Sequence, residues 1–106
     1  MIGSVLVMQP KAGCEDDVVG LFEREGVFAR AKTIDGCLDV TMFKREEEIL
    51  VVGTWTSAAA YDAWINHPER HSVGDDLNEL LDVPITPESV ATLYDIVLTS
   101  DEGAGS

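Results

Sequence analysis

The sequence predicts an α+β fold of the ferredoxin-like type, in which helices cover one face of a four-stranded antiparallel sheet. Three observations indicate this fold. Strand and helix patterns follow one another in the order β-α-β-β-α-β. The 106 residues suffice for one hydrophobic core, and residues 1–99 are assigned to a single domain. The apolar fraction of 45% and the charged fraction of 25% are those of a globular protein.

The first two elements are a strand and a helix. The apolar run at residues 4–9 ends at Pro10, because proline has no N–H to donate to a strand neighbour. Acidic residues 15–17 favour a helix N-terminus, where unpaired N–H groups attract negative charge. Apolar residues then recur every three or four positions, which predicts one continuous helix over residues 15–32.

A hairpin follows this helix. Asp35 and Gly36 mark a turn, and alternating apolar residues predict a second strand over residues 38–44. Residues 45–47 are too few for anything but a hairpin connection to a third strand at residues 49–55. These two strands are therefore expected to pair.

Pro68 divides the next helical region into two segments. Ser57 is suited to cap the first segment, which is predicted over residues 58–66 and must end before Pro68. Proline is favourable at the first helical position. A second, short helix is therefore predicted over residues 68–81, weakened at Gly74.

The last strand is predicted over residues 91–99, and residues 100–106 read as an acidic disordered tail. The first and last strands carry apolar residues on both faces of the sheet. The helices cover one face only, and an uncovered apolar face is an interface by default. We therefore expect a homodimer packed sheet against sheet.

The composition excludes several classes of partner. Twenty acidic and seven basic residues give a formal charge of −13, which repels phosphate backbones and anionic membrane surfaces. No apolar run reaches the roughly 20 residues needed to cross a bilayer. The N-terminus lacks the pattern of a signal peptide. Neither nucleic acid nor a membrane is expected as a partner, and the expected location is the cytoplasm.

The cysteines and histidines give little support to a dedicated metal site. Cys14 and Cys37 are 23 residues apart, and we expect two free thiols, although a disulfide is also compatible with the sequence. His67 and His71 are four positions apart, but Pro68 between them argues against the unbroken helix that would place both on one face, and the cysteines form no CxxC motif. No metal site is therefore predicted.

Three stretches carry a recognisable set of features: VLVMQPKAGCEDDVVGLF, TIDGCLDVTMFKREEEILVVGTWTSAAAYDAW and TLYDIVLTS. They contain a Pro-Lys-x-Gly turn, a DGCL start to the second strand, and a third strand that ends in Trp-Thr-Ser before a helix. Over about residues 4–99 the chain resembles the antibiotic biosynthesis monooxygenase family. The resemblance implies a dimeric α+β barrel. Relatives on this fold include oxygenases, haem-degrading enzymes, cyclases, isomerases and proteins without assigned activity.

One branch of this family oxidises polycyclic anthrones to quinones without a cofactor, and it has a Trp at the end of the third strand and a Tyr on the next helix. Trp55 and Tyr61 match these positions, so the resemblance implies catalytic roles for both. Val51 stands where this branch has an Asn. The first hypothesis is therefore a monooxygenase that acts with O₂ on a hydrophobic, polyketide-like aromatic substrate. Aromatic walls suit a flat ring, and a histidine suits the proton transfer.

A haem-degrading branch supplies the second hypothesis, in which haem is the cofactor. That branch has a Trp deeper on the helix and a later His, which Trp64 and either His71 or His67 match. Its Asn in the first strand is absent here. The third hypothesis is a non-catalytic dimeric domain that binds a ligand. Its mark is complete packing of Trp55 and Tyr61 by other side chains.

Each histidine candidate has a structural alternative. His71 is the candidate acid/base, and the alternative is a solvated surface residue. His67 and Trp64 are assigned to substrate binding, because their spacing of three positions places them on one face if the helix extends to His67. The alternative for His67 is a residue that interacts with the negative end of the helix dipole.

Two residues of the first predicted helix complete the substrate-binding set. Phe28 belongs to its apolar face, and Glu25 falls in line with that face. Glu25 could act as a base, turn towards solvent, or pair with Arg24 or Arg30.

Overall fold

The structure is a computed structural model that describes residues 1–67, 74–85 and 91–100. The helices and strands follow in this order: β1 (Ile2–Met8), α1 (Glu15–Glu25), α2 (Val27–Ala31), β2 (Cys37–Arg45), β3 (Glu48–Trp55), α3 (Ala58–Ile65), α4 (Gly74–Glu79) and β4 (Thr92–Asp95). The four strands form one antiparallel sheet in the order β2-β3-β1-β4. This arrangement confirms the ferredoxin-like α+β fold.

The strand register separates an inner face of the sheet from an outer one. Met8 lies opposite Ile49, and both side chains are buried under the helices. Val7, one residue earlier in β1, points its side chain to the outer face, because successive residues of a strand alternate between the two faces of a sheet. Val7 and Phe43 both lie opposite Leu50 in this outer layer, and they are 49% and 54% exposed. The outer face of the isolated chain is therefore apolar and uncovered.

The prediction of one continuous helix over residues 15–32 is wrong. Gly26 has a left-handed φ of 63°, which ends α1 at Glu25 and lets α2 begin at Val27. Glycine adopts this conformation without the steric cost that a Cβ brings. The apolar periodicity continues across the break, so the spacing alone did not reveal it.

The N-terminus of α3 lies where the sequence predicts. The Ser57 hydroxyl accepts a hydrogen bond from the Ala60 N–H at 3.3 Å, which satisfies one of the unpaired donors of the first turn. The helix predicted over residues 68–81 is described only from Gly74, since residues 68–73 lie outside the described residues.

The last strand is shorter than the predicted range 91–99. β4 ends at Asp95, opposite Ile2, and one backbone hydrogen bond, from the Ile96 N–H to the Met1 carbonyl, continues the contact beyond it. Of the predicted tail, residues 101–106 lie outside the described part of the chain. No helix in the described part has the length and apolar character to span a membrane.

Two groups of buried residues fill the space between the sheet and the helices. The first cluster lies largely between α1, α4 and the adjacent ends of the two central strands, β1 and β3. It consists of Met8, Val18, Leu21, Val27, Ile49, Leu77 and Leu81. The second cluster lies at the opposite ends of those strands, beneath α3, and it consists of Cys37, Trp55, Ala60, Tyr61 and Ala91.

The two cysteines are free thiols in different environments, and their reaction rates are expected to differ. Cys37 is buried in the second cluster and burial raises its pKa, whereas Cys14 is half-exposed before α1. Because the thiolate is the reactive species, Cys37 should react with DTNB about tenfold or more slowly than Cys14 at pH 8. The Cys14→Ala variant should show the slow phase only. Two thiols that react at one common rate would contradict this assignment.

Candidate functional site

A row of half-buried apolar side chains crosses the middle of the inner face. Met42, Val51 and Leu6 lie directly opposite one another on β2, β3 and β1. Fully buried residues lie towards one end of the central strands, at Met8 and Ile49. The side chains of this middle row are thus less buried than those of Met8 and Ile49. We call these three residues the inner row.

Trp64 lies where the two clusters meet above the sheet. Its ring is half-buried and packs against both clusters, and Leu6 of the inner row does the same. Helix α3 positions this indole over the sheet. We take the region between the inner row and Trp64 as the candidate site.

The end of α3 brings His67 to this site. The imidazole and the Trp64 indole have ring centroids 5.9 Å apart with planes tilted by 32°, and His67 is half-buried. The His67 N–H donates to the Trp64 carbonyl at 3.0 Å, which continues the helical turn past Ile65. His71, the candidate acid/base, lies outside the described residues.

Trp55 is packed in the second cluster, with only 2% of its surface exposed. Its indole N–H donates to the Ser4 hydroxyl at 2.9 Å. This contact depends on Gly53, because a Cβ there would lie 2.6 Å from the indole nitrogen and 2.8 Å from the Ser4 oxygen. The absence of a side chain at Gly53 thus leaves room for the hydrogen bond.

Tyr61 packs edge-on against Trp55, with ring centroids 5.5 Å apart, and is 5% exposed. Its hydroxyl accepts a hydrogen bond from the Ala91 N–H at 2.8 Å. The polar atoms of both aromatic residues therefore bind structural partners. This is the packing that the non-catalytic hypothesis predicts for them.

The two candidates on the first helical region contact neighbouring residues of that region. Phe28 is on α2, half-buried against the first cluster and edge-on to Phe22 at 5.9 Å. Glu25 ends α1 with its side chain 40% exposed, and its carboxylate lies 3.7 Å from the Arg24 guanidinium. Glu25 thus forms an ion pair with Arg24, which is one of the alternatives to a role as a base.

Sequence reasoning missed two residues that shape this region. Ser4 is a buried polar side chain within an apolar strand, and Gly53 lies opposite it on β3. A glycine inside a strand pattern commonly marks a close approach, and that signal was present in the sequence. Their partner Trp55 is 51 positions from Ser4, so no local pattern connects them.

Metal ligands are not grouped in the described part of the chain. No set of three or more His, Cys, Asp or Glu side chains there could hold a metal ion. If haem were bound, His67 beside Trp64 is the described histidine that could supply an axial ligand.

Comparisons with known proteins connect this geometry to a family. The family model described as antibiotic biosynthesis monooxygenase matches residues 1–73. The chain is similar in structure to Rv0793 from Mycobacterium tuberculosis, with a TM-score of 0.73 and 15% identity over 93% of this chain and 97% of that one. No curated protein matches the chain.

Two further solved structures show the same likeness. One, described as an antibiotic biosynthesis monooxygenase, has a TM-score of 0.72 and 17% identity over 92% of this chain and 100% of that one. The other is SnoaB, a cofactor-independent oxygenase from Streptomyces nogalater, with a TM-score of 0.67 and 13% identity over 93% and 95%. At these identities the likeness shows the fold alone.

Proposed function

The chain belongs to the antibiotic biosynthesis monooxygenase family, and from this premise we propose that it oxidises a hydrophobic aromatic compound with O₂. The proposed reaction uses no bound metal, flavin or haem. The description of SnoaB as a cofactor-independent oxygenase supports this choice. The proposed compartment is the cytoplasm, which agrees with the two free thiols.

The observation that carries the proposal is the half-buried inner row beneath Trp64. Met42, Val51 and Leu6 offer an apolar floor, and the indole offers an aromatic surface. A planar hydrophobic molecule gains by contacts with both, and it would exclude water from its own reacting carbon. We place the substrate in this space, with Phe28 at its margin.

Of the groups that a protein can supply, a base is the one that this oxidation needs most. An anthrone-type CH₂ loses a proton, and the resulting carbanion transfers one electron to O₂. The two radicals combine to a hydroperoxide, which loses water to leave a carbonyl. The balance is one CH₂ group and one O₂ giving one C=O group and one water. The protein must therefore accept a proton and stabilise the anion.

We assign the proton transfer to the histidine segment after α3. His71 is the proposed acid/base, and His67 is proposed to contact the substrate, which its ring contact with Trp64 supports. Trp55 and Tyr61 are proposed as a fixed wall whose rings shape the site. Their hydrogen bonds to Ser4 and Ala91 hold that wall in position.

Shortening Trp64 to alanine is expected to lower kcat/KM for a model anthrone such as dithranol by about tenfold or more, because an aromatic stacking surface is lost. Oxygen uptake measures the rate. Asp62→Ala on the same helix is the control, since Asp62 is exposed, and it should retain the wild-type rate. An unchanged rate in Trp64→Ala would place the substrate elsewhere. The unfolding midpoint of each variant shows whether it is folded.

A second candidate function is ligand binding without turnover. The packing of Trp55 and Tyr61, with their polar atoms bound to Ser4 and to the Ala91 N–H, favours it. In that case dithranol should quench the Trp64 fluorescence while oxygen uptake stays at the rate of the buffer alone.

We also propose that the outer face of the sheet forms a homodimer interface, as in the dimeric α+β barrel. Val7 and Phe43 leave this face apolar and exposed in the single chain. Such a face is normally covered by a partner in solution. Light scattering on the purified protein should give twice the chain mass.

A further inference from the structure

The two tryptophans of the chain differ in what their indole N–H groups bind. The Trp55 N–H donates to the Ser4 hydroxyl at 2.9 Å, and this hydrogen bond needs the room that Gly53 leaves. Among the described residues, none accepts a hydrogen bond from the Trp64 N–H. Buried indole N–H groups usually have a partner in the protein. Trp64 is therefore the tryptophan whose donor remains available to a ligand.

The Trp64 nitrogen is accessible from outside the protein. The ring is half-buried, and its nitrogen is not among the polar atoms that are both buried and without a partner in the described part of the chain. Trp64 and Leu6 of the inner row both pack against the two clusters. The available donor thus belongs to the candidate site and not to the closed core.

The described side chains of the sheet leave no donor for an anion at the candidate site. The inner row is apolar throughout. The Ser4 hydroxyl, in the next position on the inner face of β1, is 5% exposed and bound to Trp55. Lys44, which follows Met42 on the inner face of β2, has its ammonium on the Asp16 carboxylate. An anion above the inner row must therefore be stabilised from the helix side.

The proposed oxidation creates an anion in this region. When the base removes a proton from the CH₂ group, the electron pair of the broken C–H bond spreads through the ring system and onto the carbonyl oxygen. A hydrogen bond from a neutral N–H to that oxygen is stronger after the charge has formed than before. Such a donor lowers the barrier to proton removal and neither gains nor loses a proton itself.

We propose that the Trp64 indole N–H is a catalytic group that donates a hydrogen bond to the anionic oxygen of the substrate. An N–H donates in the plane of its ring, so we place this oxygen at the nitrogen-bearing edge of the indole. The rings of the substrate then lie on the inner row. The substrate is accordingly an aromatic ketone whose oxygen is conjugated with the CH₂ group that loses the proton. This inference rests on the proposed oxygenation.

The direct test measures the ionisation of bound anthrone in the absence of O₂. Anthrone is the probe because its carbonyl forms no internal hydrogen bond, unlike that of dithranol. Protein in excess over anthrone is titrated with base under argon, and the absorbance of the anthrone anion gives the acid dissociation constant. This constant should be about tenfold or more smaller in Trp64→Phe than in the wild type, because the anion loses a charge-assisted hydrogen bond. Equal constants would overturn the proposal.

Tyr94→Phe is the matched control, because it also removes a polar hydrogen from an aromatic side chain. Tyr94 lies opposite Gly3 on the outer face of the sheet and is 57% exposed. This variant should keep the wild-type dissociation constant of anthrone. The unfolding midpoint of each variant shows whether it is folded before the titration.

A ligand without the oxygen separates the hydrogen bond from the ring contacts. The hydrocarbon dihydroanthracene has the three rings of anthrone and a CH₂ group in place of the carbonyl. Equilibrium dialysis under argon, at a pH above the pKa of anthrone, measures the affinity for each ligand. Trp64→Phe should lose about tenfold or more in affinity for anthrone relative to dihydroanthracene. Equal losses for the two ligands would limit Trp64 to ring contacts and overturn its role as a donor.

Oxygen uptake with anthrone separates this inference from the proposed function. Trp64→Phe should lower kcat about tenfold or more and change KM less, because the hydrogen bond is strongest once the charge has formed. Oxidation that Trp64→Phe retains in full overturns this inference alone. An anion that Trp64 stabilises without oxygen uptake overturns the oxygenase proposal alone. A wild-type protein that neither binds nor oxidises anthrone overturns both.

Discussion

Replacing Trp55 with alanine is expected to lower the free energy of unfolding by about 3–5 kcal/mol, the range for removing a buried aromatic side chain. Trp55 is 2% exposed and lies edge-on to Tyr61 in the second cluster. The substitution also leaves the Ser4 hydroxyl without its indole partner. Urea unfolding followed by circular dichroism measures the change.

Trp55→Phe is the matched variant, because it keeps an aromatic ring and removes the N–H. We expect it to cost less than Trp55→Ala, at about 1–3 kcal/mol, since the buried Ser4 hydroxyl loses a donor. If Trp55→Ala were as stable as the wild type, the described packing of the second cluster would be wrong. Equal effects of the two variants would instead assign the whole contribution to the hydrogen bond.

Replacing Gly36 with alanine is expected to cost about 2–5 kcal/mol, because backbone strain and overpacking act together. Gly36 has a φ of 96°, and an added Cβ would lie 2.6 Å from the Thr56 hydroxyl and 2.7 Å from the Ala60 Cβ. The Gly36 carbonyl also accepts from the Thr56 N–H at 2.8 Å. The turn before β2 therefore packs directly against the start of α3.

Gly26→Ala separates the two contributions to this cost. Gly26 also has a positive φ, of 63°, but an added Cβ there meets no atom within 4 Å. It should therefore show the backbone strain alone, and its unfolding midpoint should lie between those of the wild type and Gly36→Ala. A larger loss of stability in Gly26→Ala would contradict the close packing at Gly36.

The sequence predicted the order of the elements because local chemistry determines it. Pro10 lies two residues after the end of β1, and the Ser57 cap begins α3. The break at Gly26 was missed because apolar residues continue at helical spacing on both sides of it. The short last strand was missed because its extent depends on pairing with β1, which is distant in sequence.

The candidate site was only partly predictable for the same reason. The aromatic residues of α3 were identified because they match positions in a family, and Trp64 with His67 shares one helical face. The contacts of Trp55 with Ser4 and of Tyr61 with Ala91 join residues 51 and 30 positions apart. Such contacts depend on strand register and helix docking, which no short sequence pattern specifies.

The central proposal is that this chain catalyses cofactor-independent oxygenation of an aromatic ring system. The most direct measurement is anaerobic mixing of the metal-free protein with dithranol, followed by addition of ¹⁸O₂ and mass spectrometry of the product. We expect one ¹⁸O atom in each quinone and a rate proportional to protein concentration, in the presence of a chelator. Oxidation at the buffer rate, without dependence on protein concentration, would contradict the proposal.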